Sequence, residues 1–157
     1  MIRHYEPGRD RHQLRSCIAH LQEFERDLEP RLPRGEEMAD VYLAFVLDRC
    51  EKTAGRIIVA EVDGAVVGFV SVLATVAPEE PDEGKAPYAY ISDLVVLPPY
   101  RRRGLGRALL EHAERFARDS GATVLRVGVL AKNEGAKRLY DRMGFADYMI
   151  QLIKPLR

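Results

Sequence analysis

The chain has 157 residues, with 24 Lys+Arg against 24 Asp+Glu and a formal net charge of zero; 46% of residues are hydrophobic and 31% charged. That length fits one domain spanning 1–157, and the apolar fraction supplies a core and excludes global disorder. Charge balance argues against a general nucleic-acid binder, and no stretch approaches the roughly 18 apolar residues of a membrane helix.

In chain order, residues 2–5 read as a short strand, broken by Pro7-Gly8. From about Asp10 to Glu25, Leu14, Cys17, Ile18, Leu21 and Phe24 recur at three and four, which predicts an amphipathic helix. A second helix is predicted from about Glu36 to Cys50, with Met38, Val41, Tyr42, Phe45 and Val46 on one face and Leu43 and Leu47 widening the stripe. That helix has more apolar surface than one face buries, so it is expected to be covered on two sides or to meet a partner, a homodimer being the expected case. Arg56–Val62 and Ala65–Val76 are strands joined by Asp63-Gly64, a hairpin signal because both central positions of that turn favour positive φ. Residues 77–87 hold three prolines and four acids and read as an exposed loop. Tyr88–Leu97 is a further strand, stopped by Pro98-Pro99. Gly104–Ser120 is a helix with Leu105, Ala108, Leu109, Ala113, Phe116 and Ala117 inward, capped by Gly121. A strand at Thr123–Leu130, a helix at Glu134–Met143 and a last strand at Phe145–Ile153 complete a β-α-α-β-β-β-α-β-α-β order, an α/β single domain.

Several chemistries drop out. There is no CxxC pair and no HExxH, and His4, His12, His20 and His112 are scattered, so no metal is expected. Cys17 and Cys50 are too few for a disulfide scaffold, and Cys17 falls at a packed spacing. Met1–Pro7 carries no apolar signal core, and the expected location is cytoplasmic, with reduced thiols.

The informative stretch is Leu94–Arg107, LVVLPPYRRRGLGR. A buried strand ends, a short loop follows and two glycines open a helix. First-turn helix N–H groups lack backbone partners and, with the helix dipole, make an anion site. Gly104 and Gly106 have no Cβ to hold a phosphate away, and Arg101, Arg102, Arg103 and Arg107 add positive charge. The residues therefore point to a diphosphate-bearing ligand held mainly by backbone, against the plainer alternative of a glycine-rich helix entry with a solvated arginine run. Neither GxxxxGK[ST] nor GxGxxG is met; position 109 is Leu109.

These residues, with Val129-Leu130-Ala131-Lys132-Asn133 and the RLYDRMGF run that contains Tyr140, resemble the GNAT N-acetyltransferase superfamily over about Arg56–Ile153. The resemblance implies a GNAT-like single domain with a central mixed, mostly antiparallel sheet flanked by about four helices. It implies that the RxxGxG loop (Arg101, Arg102, Arg103, Gly104, Leu105, Gly106 and Arg107) cradles the pyrophosphate of acetyl-CoA. It implies that the backbone of Leu94, Val95 and Val96 pairs with pantetheine, and that Asn133 and Tyr140 complete the cofactor site. Asn133 also reads as a helix N-cap, and Tyr140 as a core tyrosine by periodicity.

The implied reaction moves an acetyl group from acetyl-CoA to a primary amine of a small molecule or peptide, by direct attack in a ternary complex. The alternative is a GNAT-like domain that senses acyl-CoA without turnover. Tyr140 is the candidate acid toward the departing thiolate. The base is open. Some family members carry a carboxylate where Ser92 stands here; Asp93 is adjacent, but simple alternation points it to the other face unless a bulge re-aims it. A water chain ending on Ser92, Tyr90 or a distant glutamate is the competing expectation. Acidic groups at Glu23, Glu25, Asp27 and Glu29, and at Glu79, Glu80, Asp82 and Glu83, would attract a cationic acceptor or are solvated faces.

Overall fold

The computed structural model describes residues 1–157. In chain order the elements are β1 (Ile2–His4), α1 (Pro7–Leu28), α2 (Gly35–Lys52), β2 (Arg56–Val62), β3 (Ala65–Val76), β4 (Tyr88–Val96), α3 (Leu105–Asp119), β5 (Leu125–Val127) and α4 (Glu134–Arg142). Short 3₁₀ turns lie at Pro81–Glu83 and Pro98–Tyr100. The five strands form one sheet in the order β1-β2-β3-β4-β5. All pairings are antiparallel except β4 with β5, which is parallel.

Both faces of the sheet are covered, which explains why β2 and β3 read as almost continuous apolar runs rather than as alternating ones. On one face Leu14, Cys17 and Ile18 of α1 and Leu43 and Val46 of α2 pack on Val59, Phe69, Leu73 and Val95. On the other, Leu109, Leu110 and Ala113 of α3 and Tyr140 of α4 pack on Ile58, Val70, Val72 and Ile91. The β2–β3 turn has Asp63 at φ 50° and Gly64 at φ 79°, the two positive values its sequence called for. Burial pushes the Cys17 thiol up to about 12, so it is an inert packing group.

Four expectations are corrected. Helix α1 starts at Pro7, not near Asp10, because a proline at the first helical position loses no hydrogen bond and begins a helix rather than breaking it. The buried stripe of α2 is Ala39, Leu43, Val46 and Cys50, rotated from the expected face; Val41 is 75% and Phe45 49% exposed. Strand β5 is only three residues, Leu125–Val127, because its pairing with β4 runs only from Ala89 to Ile91. Phe145–Ile153 is not a strand: residues 146–157 make no backbone hydrogen bond and every one of them is exposed. Its alternating apolar pattern is a strand's, yet it pairs with no strand of the sheet.

The start of α1 is pinned to the sheet by charge. Asp10, fully buried, accepts from Arg3 Nη1 at 2.6 Å and Nη2 at 2.8 Å and from the Glu6 amide at 2.9 Å. Arg3 Nε also bonds Glu61 at 2.6 Å, which joins β1, α1 and β2. The Arg3 hydrogen bonds hold the Asp10 carboxyl below the usual carboxylate range. Its folded pKa is depressed, so its stabilisation is present above the ordinary carboxylate pKa of about 3.9 and is lost as pH falls below it. Replacing Asp10 by Ala should cost about 3 kcal/mol in denaturant unfolding at pH 7, the scale of a broken buried pair. The difference from wild type should shrink as the pH is lowered toward 3.

Candidate active site

The site is organised by one extra residue in β4. Ser71 pairs with Asp93 and Val72 with Ile91, so Ser92 is left without a partner and forms a β-bulge. The bulge reverses the facing of everything after it. Tyr90 lies on the α1/α2 side and Ile91 on the α3/α4 side. Past the bulge Val95 is on the α1/α2 side, with Leu94 and Val96 opposite. Asp93, which plain alternation would send toward α3, turns toward α2 instead.

There Asp93 is 6% exposed and accepts three hydroxyl hydrogen bonds. Tyr42 donates to Oδ1 at 2.6 Å, Ser71 to Oδ2 at 2.6 Å and Ser92 to Oδ2 at 2.5 Å, with Ser71 and Ser92 3.0 Å apart. A buried carboxylate needs such donors, since burial without them would neutralise it. Burial, and then the Asp93 charge, push the Tyr42 phenol well above its ordinary value, so it stays a donor. Tyr42 and Ser71 were not singled out in the sequence. The available signal was Ser71 itself, a hydroxyl inside the apolar strand AVVGFVSVLATV.

Glu25 of α1 belongs to the same cleft. Its carboxyl has no hydrogen bond or ion pair in the chain, and burial, followed by the like charge of Asp93, raises it above the usual range. Its neighbour Phe24 packs under the Arg101 guanidinium, 5.1 Å from the ring centroid. Tyr140 is 8% exposed and meets Phe145 edge-on at 5.5 Å. Burial, then the charge of Glu25, pushes its phenol up to about 12. Its hydroxyl is not among the buried side-chain atoms without partners. The ring is therefore core, as periodicity predicts, while the oxygen is directed at accessible space. Of the other expected acids, Glu23 accepts from the Gly35 amide at 2.6 Å and Glu29 pairs with Arg31, which makes both structural.

The loop before α3 has the geometry of an anion cradle. Arg102 at φ 60° and Gly104 at φ 79° are both left-handed, and Gly104 is the N-cap of α3 with no side-chain cap. The backbone N–H groups of Arg102, Arg103, Gly104, Leu105, Gly106 and Arg107 have no backbone acceptor. Such a run of unpaired amides at a helix entry suits a diphosphate. At Gly104 a Cβ would meet nothing within 4 Å, so its space is open to a ligand. Gly106 has a different reason: a Cβ there would lie 3.2 Å from Leu139 Cδ2, so it permits α3 to approach α4.

The arginines divide. Arg101 Nε donates to the Val96 carbonyl at 2.8 Å and Arg107 pairs with Glu111 at 2.8 Å. Arg103 lies over Tyr100 at 5.5 Å, and both it and Arg102 are exposed without an acidic partner. Beyond Ile91, β4 diverges from β5 and leaves an open edge. The Leu97 amide bonds the Val67 carbonyl, so by alternation Val95 and Asp93 also face β3, while Leu94 and Val96 face the open edge. The backbone groups free of the β3 ladder are therefore those of Leu94 and the Val96 amide, whereas the amide and carbonyl of Val95 belong to that ladder. Asn133 is the N-cap of α4, its Oδ1 accepting from the Ala136 amide at 3.1 Å; its side-chain nitrogen makes no bond in the chain.

A run of unpaired amides, an open strand edge and a buried polar cleft thus lie along one seam of a mixed sheet. The sequence profile of the Acetyltransferase (GNAT) family matches residues 19–145. The chain belongs to that family. This GNAT chain is 46% identical over 56 residues to streptothricin acetyltransferase of Streptomyces lavendulae, a match covering 36% of this chain and 30% of that protein's length. Its fold is similar to a tetramutant of the BH1408 protein from Bacillus halodurans, with TM-score 0.84, 19% identity and 99% of both chains covered. It is similar also to aminoglycoside N-acetyltransferase AAC(6')-Iy solved with CoA, with TM-score 0.71, 16% identity, 100% of this chain and 99% of that one. No helix of the GNAT chain is long and apolar enough to cross a membrane.

The folded-state pKa of Glu25 is raised, so between the ordinary carboxylate pKa and its folded value the folded protein binds more protons than the unfolded chain. Its contribution to stability therefore falls as pH rises through that window. Glu25→Gln should melt at the same or a higher temperature than wild type at pH 7.5, and the advantage should vanish near pH 4. A lower melting temperature at pH 7.5 would mean that the carboxylate is paired.

Proposed function

We propose that the protein transfers the acetyl group of acetyl-CoA to a primary amine, by direct attack in a ternary complex. The observation that carries this reading is the run of unpaired amides at 102–107, contiguous with the open edge of β4 that ends at the Ser92–Asp93 bulge. These residues fit the co-substrate. The 102–107 amides with Arg102 and Arg103 would hold the diphosphate, Leu94 and the Val96 amide would pair with the pantetheine amides, and the Asn133 side-chain nitrogen is free to donate. What acetyl-CoA supplies when bound is an activated acyl thioester.

The protein's own tasks are then four. An alkylammonium has a pKa near 10.4, so the cleft must take a proton from the acceptor before attack. Asp93 is the terminal proton acceptor in this reading. The partly exposed Ser92 hydroxyl passes the proton inward, receiving one from the ammonium as it gives its own to Oδ2. Glu25 supplies negative charge that draws a cationic acceptor toward the cleft. The Leu94 amide, on the open edge, donates to the carbonyl oxygen as negative charge develops there. The Tyr140 phenol, kept protonated by burial, gives its proton to the departing thiolate. The carboxylates favour cationic acceptors, a polyamine, an amino sugar or a peptide terminus among them.

One observation favours the sensor alternative. Asp93 is held by three hydroxyls, an arrangement that also serves a purely structural carboxylate. Release of CoA thiol by the wild-type protein in the presence of pooled amines separates the two, since a sensor binds acetyl-CoA and releases none, and Tyr140→Phe then tests the acid. In the enzyme it keeps ring packing and donor affinity but loses about 10²–10⁴ in turnover, with the Michaelis constant for acetyl-CoA nearly unchanged. A fully active Tyr140→Phe protein would remove the acid assignment. Gly104→Glu, which sets a carboxylate in the open space of the cradle and a side chain at a left-handed φ, should abolish calorimetric CoA binding in a folded protein. Unchanged affinity would refute the cradle.

A further inference from the structure

The cleft that holds Asp93 has a positive end as well as an acidic one. Arg49 of α2 is partly buried, and its guanidinium lies between two rings, 5.2 Å from the centroid of Phe45 and 6.0 Å from that of Tyr90. It has no hydrogen bond and no acidic partner; the neighbouring Asp48 pairs with Lys52 instead. Tyr90 lies on the α1/α2 side of β4, as Asp93 does, and its hydroxyl makes no hydrogen bond in the chain. Gly128 leaves room for that hydroxyl, since a Cβ there would lie 3.0 Å from it. Arg126, opposite Tyr90 in β5, is already held by Glu83 at 3.4 Å and by the Tyr88 ring at 3.8 Å. A partly buried guanidinium has five donors, and Arg49 has no acceptor for any of them.

We propose that the acceptor of the acetyl group carries a carboxylate several carbons from its amine, and that Arg49 and the Tyr90 hydroxyl bind that carboxylate. The inference rests on the acetyl-transfer reading of the cleft and names the acceptor's class. One helix lays out the places the acceptor fills. Tyr42, Phe45 and Arg49 follow at three and four along α2 and so share a face. The Tyr42 hydroxyl marks the acidic end, where it donates to Asp93 Oδ1 at 2.6 Å. The Phe45 ring comes next, 5.8 Å from the Tyr42 ring and half exposed. Arg49 ends the row, two turns and about 10 Å from Tyr42 along the helix axis. A cationic amine at the acidic end, methylenes over Phe45 and a carboxylate at Arg49 occupy these places in order.

The spacing excludes an α-amino acid held by its α-amine, because its two charges sit on one carbon. It fits a straight-chain ω-amino acid. The charge count favours a carboxylate over a phosphate dianion: Arg49 supplies one positive charge in a planar fork, and the nearby Arg126 is paired. The rings on either side hold the guanidinium in place, so little side-chain freedom is lost when an anion binds. The exposed Phe45 ring is then the contact for the acceptor's methylenes.

Calorimetry on the protein saturated with CoA tests the anion site without requiring turnover. 6-Aminohexanoate should bind at least about tenfold tighter than 6-aminohexanamide, which keeps the chain and the amine and loses only the negative charge. Glycine should bind more weakly than 6-aminohexanoate by a similar factor. Arg49→Met should bring the acid and its amide to within about twofold of each other, and Arg49→Gln should do the same if the Met variant does not fold. Equal affinity of the acid and the amide for the wild-type protein overturns the proposal. So does binding of neither, a glycine affinity equal to that of the longer acid, or an unchanged preference in either folded variant. Thiol release from acetyl-CoA in parallel solutions reports on acetyl transfer separately. A preference for the acid with no release refutes transfer and keeps the anion site; release with no preference refutes the anion site and keeps transfer.

Discussion

Asp93 faces the cleft because β4 carries one residue more than β3 across from it. Without the bulge at Ser92, the carboxylate would point into the α3/α4 core and meet Leu109 and Leu110 rather than Tyr42 and Ser71. A buried charge among leucines is not tolerated, whereas one holding three hydroxyls is. The same offset sends Leu94 and Val96 to the opposite face and aims their amides at the edge where β5 has diverged. A single insertion thus couples the polar cleft on one face to the open strand edge beside it.

The rest of the seam follows from how β4 ends. Pro98 and Pro99 cannot continue a ladder, so the chain turns through a 3₁₀ segment and enters α3 at a left-handed Gly104. That entry leaves the unpaired amides in a row. Arg101, the arginine nearest the strand, is committed to the Val96 carbonyl and to Phe24, and so fastens the loop to α1. The charge left for a ligand is that of Arg102 and Arg103 together with the amides. Helix α1 in turn carries Glu25, so the cradle and the acidic side of the cleft are joined through adjacent residues, Phe24 and Glu25.

Much of this was legible in the sequence. The RxxGxG entry, the Asp63-Gly64 hairpin and the α3 stripe each carry a local signal, and the structure has them where the residues put them. The bulge was foreseeable only as a condition, because register is set between strands and a single strand does not encode its partner's count. Tyr42 was hidden for a related reason: its helical position reads as core, and its hydroxyl matters only because Asp93 lies opposite, 51 residues away. Pro7 does end the first strand, as read, but it also opens α1, because a proline fits the first turn of a helix though not its interior. The arm at 146–157 has a strand's pattern without a strand's partner, which no periodicity distinguishes from a paired strand. Glu25 was visible only as one member of an acidic run; burial separated it from Glu23 and Glu29.

Release of CoA thiol from acetyl-CoA, followed across a panel of cationic and neutral amines with wild-type protein and with Asp93→Asn, tests the central claim most directly. The account predicts turnover on cationic primary amines, little on neutral ones, and a loss of at least about 10² in Asp93→Asn while CoA still binds. CoA binding with no thiol release from any amine, or an Asp93→Asn protein as fast as wild type, would contradict it.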